Sequence, residues 1–297
     1  MTDTHRVTGI ISDAECSPSL LGTQPWTFRF DGDSVLLFTD RQRQLVDFDP
    51  EGQGLVISCG TTLATLRVSA YHRGLDAHIE PFPDPIRPEL LARIDLVPRA
   101  GSAPKPTDDD LLYLAIRDRK PHWGPLATEP PRPGIASVLV QTVAANGAEL
   151  CLLSDPAARN AVAEITREAI EAQGRSPGVV SDIRGRLQES DRTGEGAFRP
   201  GGSLSSPALA RRKAALLREA PLVGVVRTTS DHRREWLAAG MAIGAMLLRA
   251  HTRGLVASYT NEAVEMGGAF RRRLSGVVGG GCPQAVFRIG WPLPDGA

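Results

Sequence analysis

The chain is poor in the signatures that mark the commonest enzyme classes. It has no GxxxxGK[ST] loop and no HExxH pair, which removes P-loop and zincin chemistry from the candidates. Its four cysteines, Cys16, Cys59, Cys151 and Cys282, are scattered with no CxxC pair. Neither a thiolate metal site nor a disulfide framework is therefore expected, and a reducing cytoplasm is the natural compartment. The six histidines (His5, His72, His78, His122, His232, His251) never fall at metal-ligand spacing on one helix face, so no metal is expected. The opening MTDTHRVTGIISDAE lacks the apolar core of a signal peptide. Lys and Arg balance Asp and Glu at 34 each, which points away from nucleic acid and from anionic membrane surfaces. Gly279-Gly280-Gly281 precedes a strand rather than joining a strand to a helix. It reads as a turn, not as a dinucleotide fingerprint.

What the chain does have is a long apolar stretch that occurs twice. Trp236 to Gly254 is apolar almost all round, with its charges gathered at Arg249 and Arg253. A helix of that kind is buried on every side, and it is too short and too rich in Gly and Ala for a membrane span of about 20 residues. Shifted by 180 positions, Cys59 to Leu75 falls on Ala239 to Leu255. Gly60 meets Gly240, Leu63 meets Ile243 and Leu66 meets Met246, and both copies end in Arg-Gly-Leu. A basic last turn followed by Gly suits a helix C-terminus. One such helix per half is no solenoid. It predicts two similar half-folds packed together, a dimer written into one chain.

In order, Val7 to Cys16 reads as an amphipathic helix ended by Ser17-Pro18. Trp26 to Phe30 and Ser34 to Thr39 read as strands about an Asp31-Gly32 turn. After the first repeat helix come a strand at Ala77 to Glu80, a short helix at Pro85 to Leu91 and a linker at Ala100 to Pro106. Asp108 to Arg119 is a helix with acids first and bases last, and the prolines of Lys120 to Pro133 keep that stretch irregular. Helices are expected at Gly134 to Ala145, Asp155 to Gln173, Pro207 to Glu219 and Glu262 to Leu274, with Asp155 and Asp231 as capping residues. Strands are expected at Glu149 to Leu153, Leu222 to Thr228, Val256 to Tyr259 and Gln284 to Trp291. Gly174 to Ser206 has little apolar periodicity and reads as a lid or a linker. The mixture predicts an α+β fold with sheets flanked by helices around paired central helices. The expected divisions are 1–106 as the first half, 107–173 as a continuation carrying the Arg117/Arg119 helix, 174–206 as the lid or linker, and 207–297 as the second half.

Several motifs, in order, resemble the nitroreductase superfamily and within it the Acg-like branch of actinobacteria. Ser17 to Phe28 resembles PSxxNxQPWxF at Pro18-Ser19, Gln24-Pro25-Trp26 and Phe28. Further matches are Ser58-Cys59-Gly60, Ala115-Ile116 with Arg119, Trp236-Leu237 with Ala239-Gly240, and Pro283-Gln284 with Arg288, Gly290 and Trp291. The resemblance implies a dimer-like fold fused into one chain with an FMN site at the seam. Arg119, Arg117 and Arg288 would be candidates for the phosphate, because a guanidinium fork donates paired charge-assisted bonds. Ser19, Thr23 and Gln24 would serve the ribityl chain or ring edge, and Ser258 and Tyr259 would pass over the flavin, while Trp26 is expected in the core. The sequence departs from the pattern at Gly22, where the family has Asn, and at Trp123, where it has a second base.

The implied activity is an FMN-dependent oxidoreductase taking electrons from NAD(P)H to an electron-poor or biosynthetic organic substrate. No catalytic side chain is required, since the flavin carries the hydride chemistry. The alternatives are a non-enzymatic flavin-binding or flavin-free module that keeps the fold, and a specialised natural-product oxidase or dehydrogenase. The expected partner is a small molecule, with the protein acting as a monomeric internal pseudo-dimer or as a homodimer.

Overall fold

The computed structural model describes residues 4–32, 34–99, 108–193 and 206–293. The first half runs α1 (Thr4–Ala14), β1 (Trp26–Asp31), β2 (Ser34–Thr39), α2 (Gln53–His72), β3 (Leu75–Pro81) and β4 (Leu90–Pro98). Its antiparallel sheet has the order β1-β2-β4-β3. Helix α3 (Asp108–Asp118) follows, and then the scheme repeats. The second half runs α4 (Pro133–Ala144), β5 (Glu149–Leu152), α5 (Pro156–Gly174), α6 (Pro177–Thr193), α7 (Pro207–Glu219), β6 (Leu222–Thr228), α8 (Arg233–Thr252), β7 (Val256–Tyr259), α9 (Glu262–Glu265), α10 (Gly268–Val277) and β8 (Cys282–Gly290). Its sheet has the same topology, β5-β6-β8-β7. Each sheet even carries its register shift at the matching place, between Leu37 and Phe38 on β2 and between Val226 and Arg227 on β6. The second half differs by its insertions: α5, α6 and α7 separate β5 from β6, where a short turn joins β1 to β2.

The twin helices α2 and α8 pack on each other at the centre, so residues that match in sequence also meet in space. A Cβ added at Gly60 would lie 2.3 Å from the Leu237 carbonyl oxygen, and one added at Gly240 would lie 2.1 Å from that of Ile57. Each would also stand 2.7 Å from the other glycine's Cα. A patch that contacts its own counterpart is the mark of a two-fold interface, here internal to one chain. Around this contact Leu55, Val56, Cys59, Leu63, Leu66, Trp236 and Leu237 join the first sheet's core. Ala242, Ile243, Met246, Leu247 and Ala250 join the second sheet's.

Several expectations are corrected. Pro85 to Leu91 forms a turn leading into β4, and that strand's alternating burial surrounds charges at Arg93 and Asp95. The stretch expected as one helix from Glu262 to Leu274 is broken at Gly267 and Gly268, whose φ angles are 59° and 47°. Gly174 to Ser206 is no structureless connection: residues 177–193 form α6, while 194–205 lie outside the described residues, as does the linker at 100–106. Asp155 caps α5 by accepting from the backbone of Ala157 and Ala158. Asp231, by contrast, does not cap α8, whose N-cap His232 makes no side-chain cap bond. The stretch taken as a continuation of the first half supplies α4 and, through β5, an edge of the second sheet. Among the described residues no helix is long and apolar enough to cross a membrane, and no cluster of His, Cys, Asp and Glu is placed to hold a metal ion.

Candidate active site

One wall of the site is the segment between α1 and β1, held by hydroxyls that would otherwise be out of place in a buried helix. Ser58, Thr61, Thr62 and Thr65 of α2 are all buried. The Ser58 hydroxyl accepts from the Leu20 amide at 2.9 Å, and Thr61 donates to the Pro18 carbonyl at 2.6 Å. Thr62 donates to the Ala14 carbonyl at 2.6 Å, and Ser17 donates to Thr65 at 2.7 Å. Buried polar groups demand such partners, so α2 fixes the loop's path. Leu21 and Gln24 hold φ angles of 47° and 45°, a region sparsely used by residues with a side chain and frequent at functional sites. The Ser19 hydroxyl accepts from the Gln24 amide at 2.9 Å, and the Gln24 side chain donates to the Glu15 carbonyl at 3.0 Å.

The facing wall comes from the second half: Tyr259 at the end of β7, Asn261, Glu262 and Glu265 about α9, Arg271 on α10, and Gln173 and Lys213 from the inserted helices. Ile57 and Leu247, one from each twin helix, complete the lining where the halves meet. Between the walls lies a cavity of about 890 Å³, within the range of small-molecule and cofactor sites, roughly 300–1,000 Å³. Arg119, just beyond α3, reaches this cavity half-buried. Burial lowers its pKa, opposed by the nearby Tyr259 hydroxyl, and no carboxylate pairs with it among the described residues. Along the same cavity the halves are joined directly: Gln53 of α2 donates to the Gln284 side chain at 2.6 Å, and Asp231 accepts from the Trp236 indole at 2.6 Å and from both Arg271 terminal nitrogens at 2.5 and 2.7 Å.

A family model described as the nitroreductase family matches residues 143–290. A Mycobacterium tuberculosis protein provisionally named NAD(P)H nitroreductase Rv3131 is 28% identical over 312 residues, covering 98% of this chain and 88% of its own. A second protein of that organism, provisionally named NAD(P)H nitroreductase acg, is 28% identical with coverages of 98% and 91%. The second half of the chain thus matches the nitroreductase family, and the similarity to the Acg-like proteins runs over nearly the full length. Among solved structures, the FMN-dependent nitroreductase NfnB from Mycobacterium smegmatis in complex with NADPH is similar at 13% identity, covering 63% of this chain and 89% of that one, with a TM-score of 0.45.

Of the residues expected at a nitroreductase site from the sequence, the cavity brings together Ser19, Gln24, Arg119 and Tyr259. The other four lie elsewhere. Arg117 is 62% exposed and ion-pairs with Asp13 at 2.8 Å. Asp13 is only 1% exposed and also receives Arg73 at 2.9 Å and the Ser69 hydroxyl at 2.8 Å. The Thr23 hydroxyl turns back to the Leu20 carbonyl at 2.8 Å. Arg288, 2% exposed, donates to the Ser258 hydroxyl at 2.9 Å and the Gly124 carbonyl at 3.2 Å, and burial pulls its pKa down to about 10. Trp26 is in the core, and Trp123 and Gly22 both line the cavity.

Helix α6 covers the loop wall. Val179 and Ile183 pack with Phe48, Leu20 and Leu21, while the Asp182 carboxylate accepts the amides of Asp47 and Phe48 at 2.8 and 3.0 Å. Arg186 donates to the Leu21 carbonyl at 3.1 Å and to that of Gly22.

Sequence reasoning missed the acids of α9. Glu262, 8% exposed, ion-pairs with Lys213, and its second oxygen is buried with no hydrogen-bond partner among the described residues. Glu265, one turn on, accepts from Gln173 at 3.2 Å. The Glu-x-x-Glu spacing was the available signal, but only the inserted α5 and α7 show that this face is covered. Burial first, and then the Glu262 charge, push the Glu265 carboxyl up to about 8, against opposing pulls from Lys213 and the Gln173 hydrogen bond. Because the folded value lies above the unfolded one, this group withdraws stability as pH rises from the ordinary carboxylate range to about 8. Glu265→Gln removes that loss. Its unfolding midpoint is expected to exceed the wild-type midpoint by about 3–5 °C at pH 8.5, with the difference closing toward about pH 5. Thermal melts across that range check it, and a constant or reversed difference would refute it.

Proposed function

We propose that the protein is an FMN-dependent oxidoreductase that passes electrons from NAD(P)H to an electron-poor organic acceptor. The observation that carries this reading is Arg119, a half-buried guanidinium lining a cofactor-sized cavity between the halves, without a carboxylate to neutralise it among the described residues. A buried charge calls for a counter-charge, and the dianionic phosphate of FMN is one that a guanidinium fork binds well. The nitroreductase family match over residues 143–290 and the NAD(P)H names of the relatives support the same choice.

When bound, FMN would supply the hydride chemistry. The protein's own part is to hold and enclose. Arg119 would anchor the phosphate, with Ser19 and Gln24 beside the polar chain or the ring edge. Ile57, Leu247 and Tyr259 would offer apolar surface to the ring, and α6, docked on Leu20 to Gly22, would act as a lid that keeps water out. One chain provides both walls, so a second copy is not required for the site. The free cysteines fit a reducing cytoplasm.

Protein purified without added flavin is expected to show a flavin absorption spectrum, or to acquire one on titration with FMN. A colourless protein that leaves FMN unbound would end this reading. The docked α6 also favours a second reading, a flavin-holding module closed to nicotinamide. Bleaching of the bound flavin by NADPH, with recovery on adding an acceptor, would rule that out.

A further inference from the structure

Reduction of an organic acceptor by hydride consumes a proton as well, and the wall opposite the pinned loop holds a carboxyl suited to give it. Glu262 and Glu265 face the cavity from the two ends of α9, a single helical turn. The charged groups around Glu265 are Glu262 on its own helix, Lys213 from α7 and Asp49 from the segment before α2, with Gln173 from α5 bonded to it. Lys213 pairs with Glu262 rather than with Glu265. Asp49 is already engaged, accepting the amides of Gly54 and Leu55 at 3.1 and 2.8 Å. Two carboxyls this close in a covered site do not both ionise readily, and burial raises Glu265 into the range where it still holds its proton near neutral pH. The unpartnered buried oxygen of Glu262 independently marks the place as one completed by a ligand's O–H or N–H.

We infer that Glu265 is the proton donor to the acceptor bound in this cavity, with Glu262 accepting a hydrogen bond from that ligand. The inference rests on the oxidoreductase reading above. For a nitroaromatic the step balances as R–NO2 + H− + H+ → R–N=O + H2O. The hydride, drawn originally from NAD(P)H, brings both electrons. One N–O bond breaks, and its oxygen leaves as water with the hydride hydrogen and the Glu265 proton. Glu265 is left as a carboxylate and recovers its proton from solvent water.

Two measurements test this. In flavin-free protein, infrared difference spectra between about pH 6 and pH 10 are expected to show a carboxylic C=O band that Glu265→Gln abolishes, since a useful general acid titrates near the working pH. A wild-type protein without a band sensitive to that substitution overturns the proposal. In FMN-loaded protein, the ratio of nitroaromatic-driven oxidation to NADPH-driven reduction is expected to fall roughly a hundredfold in Glu265→Gln, and the variant should lose the decline of oxidation as pH passes about 8. An unchanged ratio and profile in protein that binds FMN overturns this proposal alone. Failure to bind FMN removes the oxidoreductase reading and this one with it, and the titration shows which has failed.

Discussion

Gly240→Ala is expected to lower the thermal unfolding midpoint by roughly 6–12 °C, equivalent to about 3 kcal/mol. Two effects oppose each other. Alanine is the better helix former by about 1 kcal/mol, and in an open helix that would decide the sign. At Gly240, however, the new methyl would stand 2.1 Å from the Ile57 carbonyl oxygen and 2.7 Å from the Gly60 Cα. Both are backbone atoms of the twin helix, so no rotamer change relieves the contact. The helices must part, and the core residues packed on both sides of them part as well. Gly60→Ala should behave alike, and the double variant should lose less than the summed single losses, because one separation serves both methyls. Gly185→Ala on α6 is the control. A methyl added there would meet nothing within 4 Å, so propensity alone acts and the midpoint should rise. Calorimetry on wild type and the four variants checks this, and a Gly240→Ala midpoint at or above wild type would refute it.

Arg119→Met is expected to weaken FMN binding about ten- to a hundredfold, the loss of one charged hydrogen-bonding group of about 1.5–3 kcal/mol. Methionine keeps much of the stem's apolar cover, which limits collapse of the site. Arg117→Met, two residues away, should leave FMN affinity unchanged and lower the unfolding midpoint instead, because Arg117 serves the buried Asp13 carboxylate. Titration and melts on both variants separate the roles. Equal loss of FMN affinity in the two would refute the assignment.

The halves were legible because the twin helices are buried from every side and carry their glycines in one register. Arg119 was legible as a candidate for the same kind of reason, as a base beyond an acid-led helix. Its separation from Arg117 was not, since which of the two turns toward the cavity depends on Asp13 of α1, more than a hundred positions away in sequence. Strand β4 was obscured by the prolines before it and by Arg93 and Asp95 within it. Helix α6 was obscured by polar residues whose partners, the amides of Asp47 and Phe48 and the carbonyls of Leu21 and Gly22, belong to the other half. The acids of α9 carry no local sign of burial, because the helices that cover them are insertions with no counterpart in the first half.

The hydroxyls of α2 have a consequence for how such a chain can diverge. At the matching positions of α8, Ser58, Thr61, Thr62 and Thr65 become Ala238, Met241, Ala242 and Ala245. The segment corresponding to the pinned loop is cut to the few residues between α4 and β5. In a dimer of identical subunits every mutation arrives at both seams together, so neither can be released while the other is kept. Joining the copies in one chain lifts that constraint. One duplicate keeps the polar inventory, and the other is free to become plain scaffold, leaving a record of the division in four side chains.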